Sequence, residues 1–159
     1  MLTQNLYQIS ADFLEKSQQK RLLILNEMGL ARYATFLTIM PLAEANIDCI
    51  MRFFSNPTKA KFPNLQGAEL SGLVLDGVNF IRGDLSGANL SNSSLVDADL
   101  IFANFTNANL NNANLQGATL NETIWDGAIV KNCNFGAGIG ITNKQRQELV
   151  SWGAMFTGN

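Results

Sequence analysis

Asp97 and Asp99, two residues apart, are the carboxylates whose spacing could hold a metal ion or divide general acid and base work between them. Their usual collaborators are missing. The chain has no histidine, which removes the Ser-His and Cys-His nucleophile pairs and the commonest general base. Its two cysteines, Cys49 and Cys133, have no CxxC spacing and no imidazole to complete a metal site, so they read as small buried apolar residues. The run Gly136-Ala137-Gly138-Ile139-Gly140 is not GxGxxG and follows no βαβ unit, so it offers no nucleotide loop. Asn-X-Ser/Thr triplets such as those at Asn92, Asn104 and Asn121 are expected by chance in a chain rich in Asn and Thr. The reading is of a protein that is not an enzyme and has no metal, cofactor or small-molecule substrate.

Composition narrows the partners. Of the 159 residues 47% are hydrophobic and 15% charged, the polarity having moved into Asn, Ser, Thr and Gly. A net charge of −2 gives no strong basic field for nucleic-acid phosphates, so no nucleic acid is expected. Met1 to Leu14 lacks a basic region followed by an apolar one, and a cytoplasmic location is the expectation. The most apolar stretch, Gly29 to Met40, carries Arg32 and stops at Pro41, too short to span a bilayer. A peripheral membrane contact stays open.

The elements that must position any site follow a period of five from Lys61 to Phe135. Its centres are all large and apolar: Leu65, Leu70, Leu75, Phe80, Leu85, Leu90, Leu95, Leu100, Phe105, Leu110, Leu115, Leu120, Trp125, Val130 and Phe135. Two residues before the centre the chain prefers a small residue, as at Ala88, Ala98, Ala108 and Ala113. One residue before it prefers Asn or Asp, which places Asp99 in a turn-capping position and Asp97 toward solvent. Five fits neither the helical 3.6 nor the strand 2.0, so the chain must turn a corner every five residues. Four sides close a square coil of about twenty residues, and coils stacked at about 4.8 Å pair backbone with backbone.

The quadruple Ala88-Asn89-Leu90-Ser91-Asn92, Ala98-Asp99-Leu100, Ala108-Asn109-Leu110-Asn111-Asn112 and Ala113-Asn114-Leu115-Gln116-Gly117 resembles the A(D/N)LXX motif of the pentapeptide-repeat family. The resemblance covers roughly half of the chain and implies an all-β solenoid, a right-handed quadrilateral β-helix, here of about four coils. Pro63, Leu73 and Val78 depart from the motif at the start, Thr123 and Trp125 near the exit.

Three parts are expected: an N-terminal helical segment over 1–60, the repeat over 61–135, and a capping helix with tail over 136–159. Ser10 to Met28 reads as one helix with Ser10 as N-cap and Gly29 as its stop, followed by segments Leu30 to Met40 and Leu42 to Phe54. These helices either cover the open first coil or offer a docking surface, including one for a homodimer. Thr142 and Gln145 form a capping box for a helix to about Ser151, with Gly153 as its stop. This tail resembles the C-terminal extension of bacterial, particularly cyanobacterial, members of the family. Ile141, Leu149, Trp152 and Phe156 are expected to cover the last coil.

Residues twenty apart stack on one face of the square, and there Ile81 meets Ile101 while Arg82 meets Phe102. This face alone is expected to gather large apolar groups outside the repeat, so Ile81, Arg82, Ile101 and Phe102 are the candidate partner-binding residues. A ladder of stacked side chains, or a floor for the N-terminal helices, is the competing reading. The function that follows is a non-catalytic protein-protein interaction module that regulates or assists assembly of a larger complex. The alternative is a DNA-mimic regulator of a type II topoisomerase, implied by the family's fluoroquinolone-resistance members. That mimicry wants a long acidic rod, whereas residues 61 to 135 hold seven acids and three bases over a short stack.

Overall fold

The computed structural model describes residues 2–157. Helix α1 (Leu2–Glu15) is followed by α2 (Gln18–Met28), so the single helix expected from Ser10 is two helices. Ser17 is the N-cap of the second, its side chain accepting from Lys20 N, while Ser10 is buried within the first. The break has a cause in Arg21. Its buried guanidinium donates to the carbonyls of Leu14 and Lys16 at the end of α1, and to those of Leu37 and Met40 beyond it. Carbonyls that end a helix need partners, and one cation supplies four of them. Burial lowers the pKa of Arg21 from its ordinary value.

Gly29 stops α2 in the left-handed conformation, φ 75°, as expected. The next segment is not one helix but a 3-10 turn (Ala31–Tyr33) running into α3 (Ala34–Leu37). Arg21 ends it by taking carbonyls just ahead of Pro41. Helix α4 (Glu44–Ser55) packs against α1 and turns Asn46, Cys49, Ile50 and Phe53 inward. A 3-10 turn, Pro57–Lys59, leads into the repeat.

From Asn64 the backbone pairs with residues twenty further on, in parallel: Asn64 with Asp84, Glu69 with Asn89, and so on to Thr119 with Ile139. Each pairing is an isolated bridge rather than part of a continuous strand. A five-residue side that must also turn a corner has room for little extended backbone, so the expected all-β solenoid forms as a ladder of single rungs. The corner is a turn from each centre to the third residue after it, as in Ala88 N to Leu85 O at 3.0 Å. The second residue after the centre has positive φ in every repeat from Gly67 to Asn132, the signature of a type II turn. The centres and the small residues two before them are buried, making one core with the helical segment. Asn and Asp one before the centre accept from the N–H two residues on, as Asn109 Oδ1 does from Asn111 N at 3.0 Å.

Helix α4 lies on the open edge of the first rungs. The Asn46 carboxamide accepts from Glu69 N at 2.8 Å and donates to Glu69 O at 3.0 Å, the two bonds a preceding coil would make. One turn along, Cys49 Sγ donates to Asn64 O, and Arg52 Nη2 donates to Gln66 O at 2.7 Å. Phe36 meets Phe80 edge-on with ring centroids 5.0 Å apart.

At the other end pairing continues past Phe135, with Gly138 buried in the small position and Gly140 where a large centre would stand. The Thr142 to Gln145 capping box opens α5 (Asn143–Ser151). The Gln145 amide also donates to Thr123 O at 2.9 Å. The tail returns so that Met155 bridges Asn134, and Phe156 stacks on Phe135 at 4.9 Å. Leu149 is buried and Ile141 partly so, while Trp152 lies at the edge of the last coil near Trp125 and remains 41% exposed. Among the described residues, no helix is long and apolar enough to cross a membrane.

Candidate interaction surface

The stacking of sides puts Ile81 and Ile101 in one column and Arg82 and Phe102 in the next. Ile81 and Ile101 are half-buried, while Arg82 is exposed and Phe102 is 45% exposed. The Arg82 guanidinium lies 4.4 Å from the Phe102 ring centroid. All four residues predicted from the sequence are therefore neighbours on one side of the coil.

Arg82 and Phe102 occupy the positive-φ corner, at 57° and 61°. The other corners use Gly, Asn, Asp97 or Glu122, all Gly or polar, whereas a bulky residue there costs about 1–2 kcal/mol. Their mutual stacking returns about 0.5–1 kcal/mol at an exposed site. The offset is incomplete, so these two corners carry strain that Gly would remove.

The surface is larger than the four residues. Phe62, 50% exposed, lies in the same column, with Arg82 5.8 Å from its ring centroid, so Arg82 faces two aromatic rings. Its twenty-residue spacing was the available signal, obscured because Phe62 follows Ala60 rather than an apolar centre. A cleft of about 250 Å³ opens beside it, lined by Arg32, Tyr33, Lys61, Phe62 and Ile81 among others. Arg32 and Tyr33 both donate to the Ala60 carbonyl, which fixes the approach of the helical segment to this face.

The expectation that this face alone exposes large apolar groups does not hold. One residue before the centre, where the repeat uses Asn or Asp, the last rungs carry Ile124, Ile129 and Ile139, about half exposed. These three lie on different sides of the square, so they form a rim rather than one patch.

The residues examined for chemistry are otherwise occupied. Asp99 Oδ1 accepts from Ile101 N and Thr119 Oγ1, and exposed Asp97 sits at a positive-φ corner. Cys49 and Cys133 are fully buried free thiols, each pushed up to about 12 by burial. The Glu69 carboxyl is held below its ordinary pKa, chiefly by the hydrogen bond from the Ser71 side chain.

The family of pentapeptide repeats matches in eight copies over residues 61–92, 84–121 and 98–136. Among solved structures, a pentapeptide repeat protein from the thylakoid lumen of Arabidopsis thaliana is 37% identical, covering 60% of this chain and 68% of that one, with a TM-score of 0.53. HetL, a pentapeptide repeat protein involved in heterocyst differentiation regulation in the cyanobacterium Nostoc, is also 37% identical, covering 44% of this chain and 33% of that one, with a TM-score of 0.43. The plasmid-mediated fluoroquinolone resistance protein QnrB1 is 18% identical, covering 55% and 64%, with a TM-score of 0.24. Comparison with the curated proteins finds no match. A centre every fifth residue, a corner after each centre and parallel pairing at twenty coincide with the segment the family matches, and the chain belongs to the pentapeptide-repeat family, whose members fold as right-handed β-helices.

Proposed function

We propose that the protein is a non-catalytic protein-protein interaction module, acting in the cytoplasm to regulate or assist assembly of a larger complex. In this reading residues 61–135 form about four coils, the helical segment over 1–60 and the tail over 136–159 close the two ends, and the side wall binds. The partner site is Ile81, Arg82, Ile101 and Phe102. The observation that carries it is the placement of Arg82 and Phe102, two bulky residues kept at strained corners, stacked and open to solvent. Strain held at exposed positions where Gly, Asn, Asp or Glu serves elsewhere points to use of these two large side chains. The topoisomerase-mimic reading has less support, because residues 61–135 set seven acids against three bases over a short stack, a weak field for a mimic of DNA.

The test is affinity capture from native extract, read by mass spectrometry, with wild type beside Phe102→Gly and Ile101→Ser. Gly relieves the corner, so the Phe102 variant is expected to melt within about 2 °C of wild type and to lose the captured protein. A large fall in melting temperature with capture unchanged would make these residues structural and overturn the proposal.

A further inference from the structure

The same face has a charge character that its four central residues do not reveal. Phe62 sits between two clefts, one lined by Arg52 and Lys59, the other by Arg32 and Lys61, and Arg82 lies against its ring. Five of the eleven Lys and Arg residues of a net-acidic chain thus surround one exposed aromatic ring. Arg52 Nε, buried beside the first cleft, has no hydrogen-bond partner although its Nη2 is bonded to Gln66. Four acids lie nearby: Asp48 beside Arg52, Asp84 paired with Asn64 and Asp99 paired with Asn79, both with an oxygen engaged, and Glu122 one coil beyond Phe102. The centre is cationic and aromatic, and its floor is aliphatic.

Resting on the interaction-module reading, we infer that this face binds an extended segment of a partner protein in which acidic residues alternate with large apolar ones. Charge complementarity selects the acids. The half-buried Ile81 and Ile101 and the exposed Phe62 and Phe102 select the apolar side chains. From Phe62 to Phe102 the column rises two coils, about 10 Å, and the clefts beside Phe62 extend it over the helical junction. A strand of about five residues at ~3.3 Å each covers that path. A nucleic acid fits less well: Phe62 and Phe102 offer stacking to two bases, but the Ile81 and Ile101 floor offers no hydrogen bonds and a short cluster gives few phosphate contacts.

Fluorescence anisotropy on the full chain tests this with a labelled peptide alternating Glu with Leu and Phe, and with the same peptide carrying Gln for Glu. The Glu peptide is expected to bind about tenfold more tightly than the Gln peptide and to weaken as salt rises from ~0.05 to ~0.5 M. Lys61→Glu with Arg82→Glu is expected to remove that difference. The Arg82 corner accepts Glu without a new fold, because Glu122 already occupies the equivalent corner at φ 59°. Arg82→Asn, using the residue common at these corners, serves as a second variant with the same expected direction.

Equal binding of both peptides, or no effect of either variant, overturns the inference. So does tighter binding of a single-stranded oligonucleotide, or of phosphatidylserine vesicles, than of the Glu peptide. A partner whose capture requires Phe102 but is indifferent to salt and to Lys61→Glu with Arg82→Glu would leave the interaction module standing while removing the acidic segment.

Discussion

The helical segment before Ser55 and the repeat after Asn64 share one core, yet they are held in different ways. In the repeat every coil makes the same bonds, so each side chain does work that its neighbours above and below also do. In the helical segment single side chains bridge distant parts of the chain: Arg21 gathers carbonyls from Leu14 to Met40, and Asn46 joins Pro41 to Glu69. Redundancy in one region and singular contacts in the other predict a steep difference in sensitivity to substitution.

Arg21→Met carries the largest expected effect. The thioether fills much of the volume but leaves four buried or partly buried carbonyls without donors. Each unmade bond to a charged group is worth about 1.5–3 kcal/mol, and some carbonyls will recover water, so a loss of about 4 kcal/mol is expected. Chemical denaturation followed by circular dichroism measures it. A loss below about 1 kcal/mol would show that α1, α2 and α3 hold together without the guanidinium.

Asn46→Leu comes next, with an expected loss of about 3 kcal/mol from leaving both polar groups of Glu69 unpaired at a closed edge. Hydrogen exchange separates this from general loosening. Glu69 N–H should lose protection while Asn109 N–H, deep in the stack, keeps it. Equal loss at both positions would mean that the edge and the stack open as one unit.

Legibility in the sequence divides along the same line. The repeat was readable because Leu, Ala and Asn restate one pattern at fixed spacing, and the column of Arg82 and Phe102 follows from four sides of five. The helix break was not readable, because nothing local to Ser17 marks it over Ser10 until Arg21 is known to reach Leu37 and Met40. Asn46 gave no signal for a similar reason, since its partner Glu69 lies 23 residues away. Hydrophobicity alone did not separate Trp152, at the edge of the last coil near Trp125, from Phe156, which stacks on Phe135. Of the proposed surface, the twenty-residue spacing brought Ile81, Arg82, Ile101 and Phe102 together but did not reveal Phe62 or the cations brought by the helical segment.

Gly140 marks the point where repetition ends and a singular contact returns. An added Cβ would stand 2.5 Å from Asn121 backbone N and from its side chain, at φ 89°, and although the side chain can swing away the backbone cannot. Gly140→Ala is therefore expected to cost about 2 kcal/mol, combining the left-handed penalty with backbone displacement. The melting temperature reports it. Gly67→Ala is the matched control, because the added methyl meets nothing within 4 Å and only the φ of 71° is penalised.

The smallest effect belongs to Asn109→Ala, and it sets one asparagine of the repeat against Asn46 of the helix. Asn109 Oδ1 accepts only from Asn111 N, two residues on, at a half-buried corner where water can replace it. Its backbone bonds to Ala88 and Leu110's bond to Ile129 persist whatever the side chain. The expected loss is about 0.5–1 kcal/mol, a fraction of that for Asn46, although both substitutions remove one carboxamide. Equal losses at the two positions in the same denaturation experiment would show that the coil depends on each corner bond as strongly as its edge depends on α4. The redundancy assigned to the stack would then be wrong.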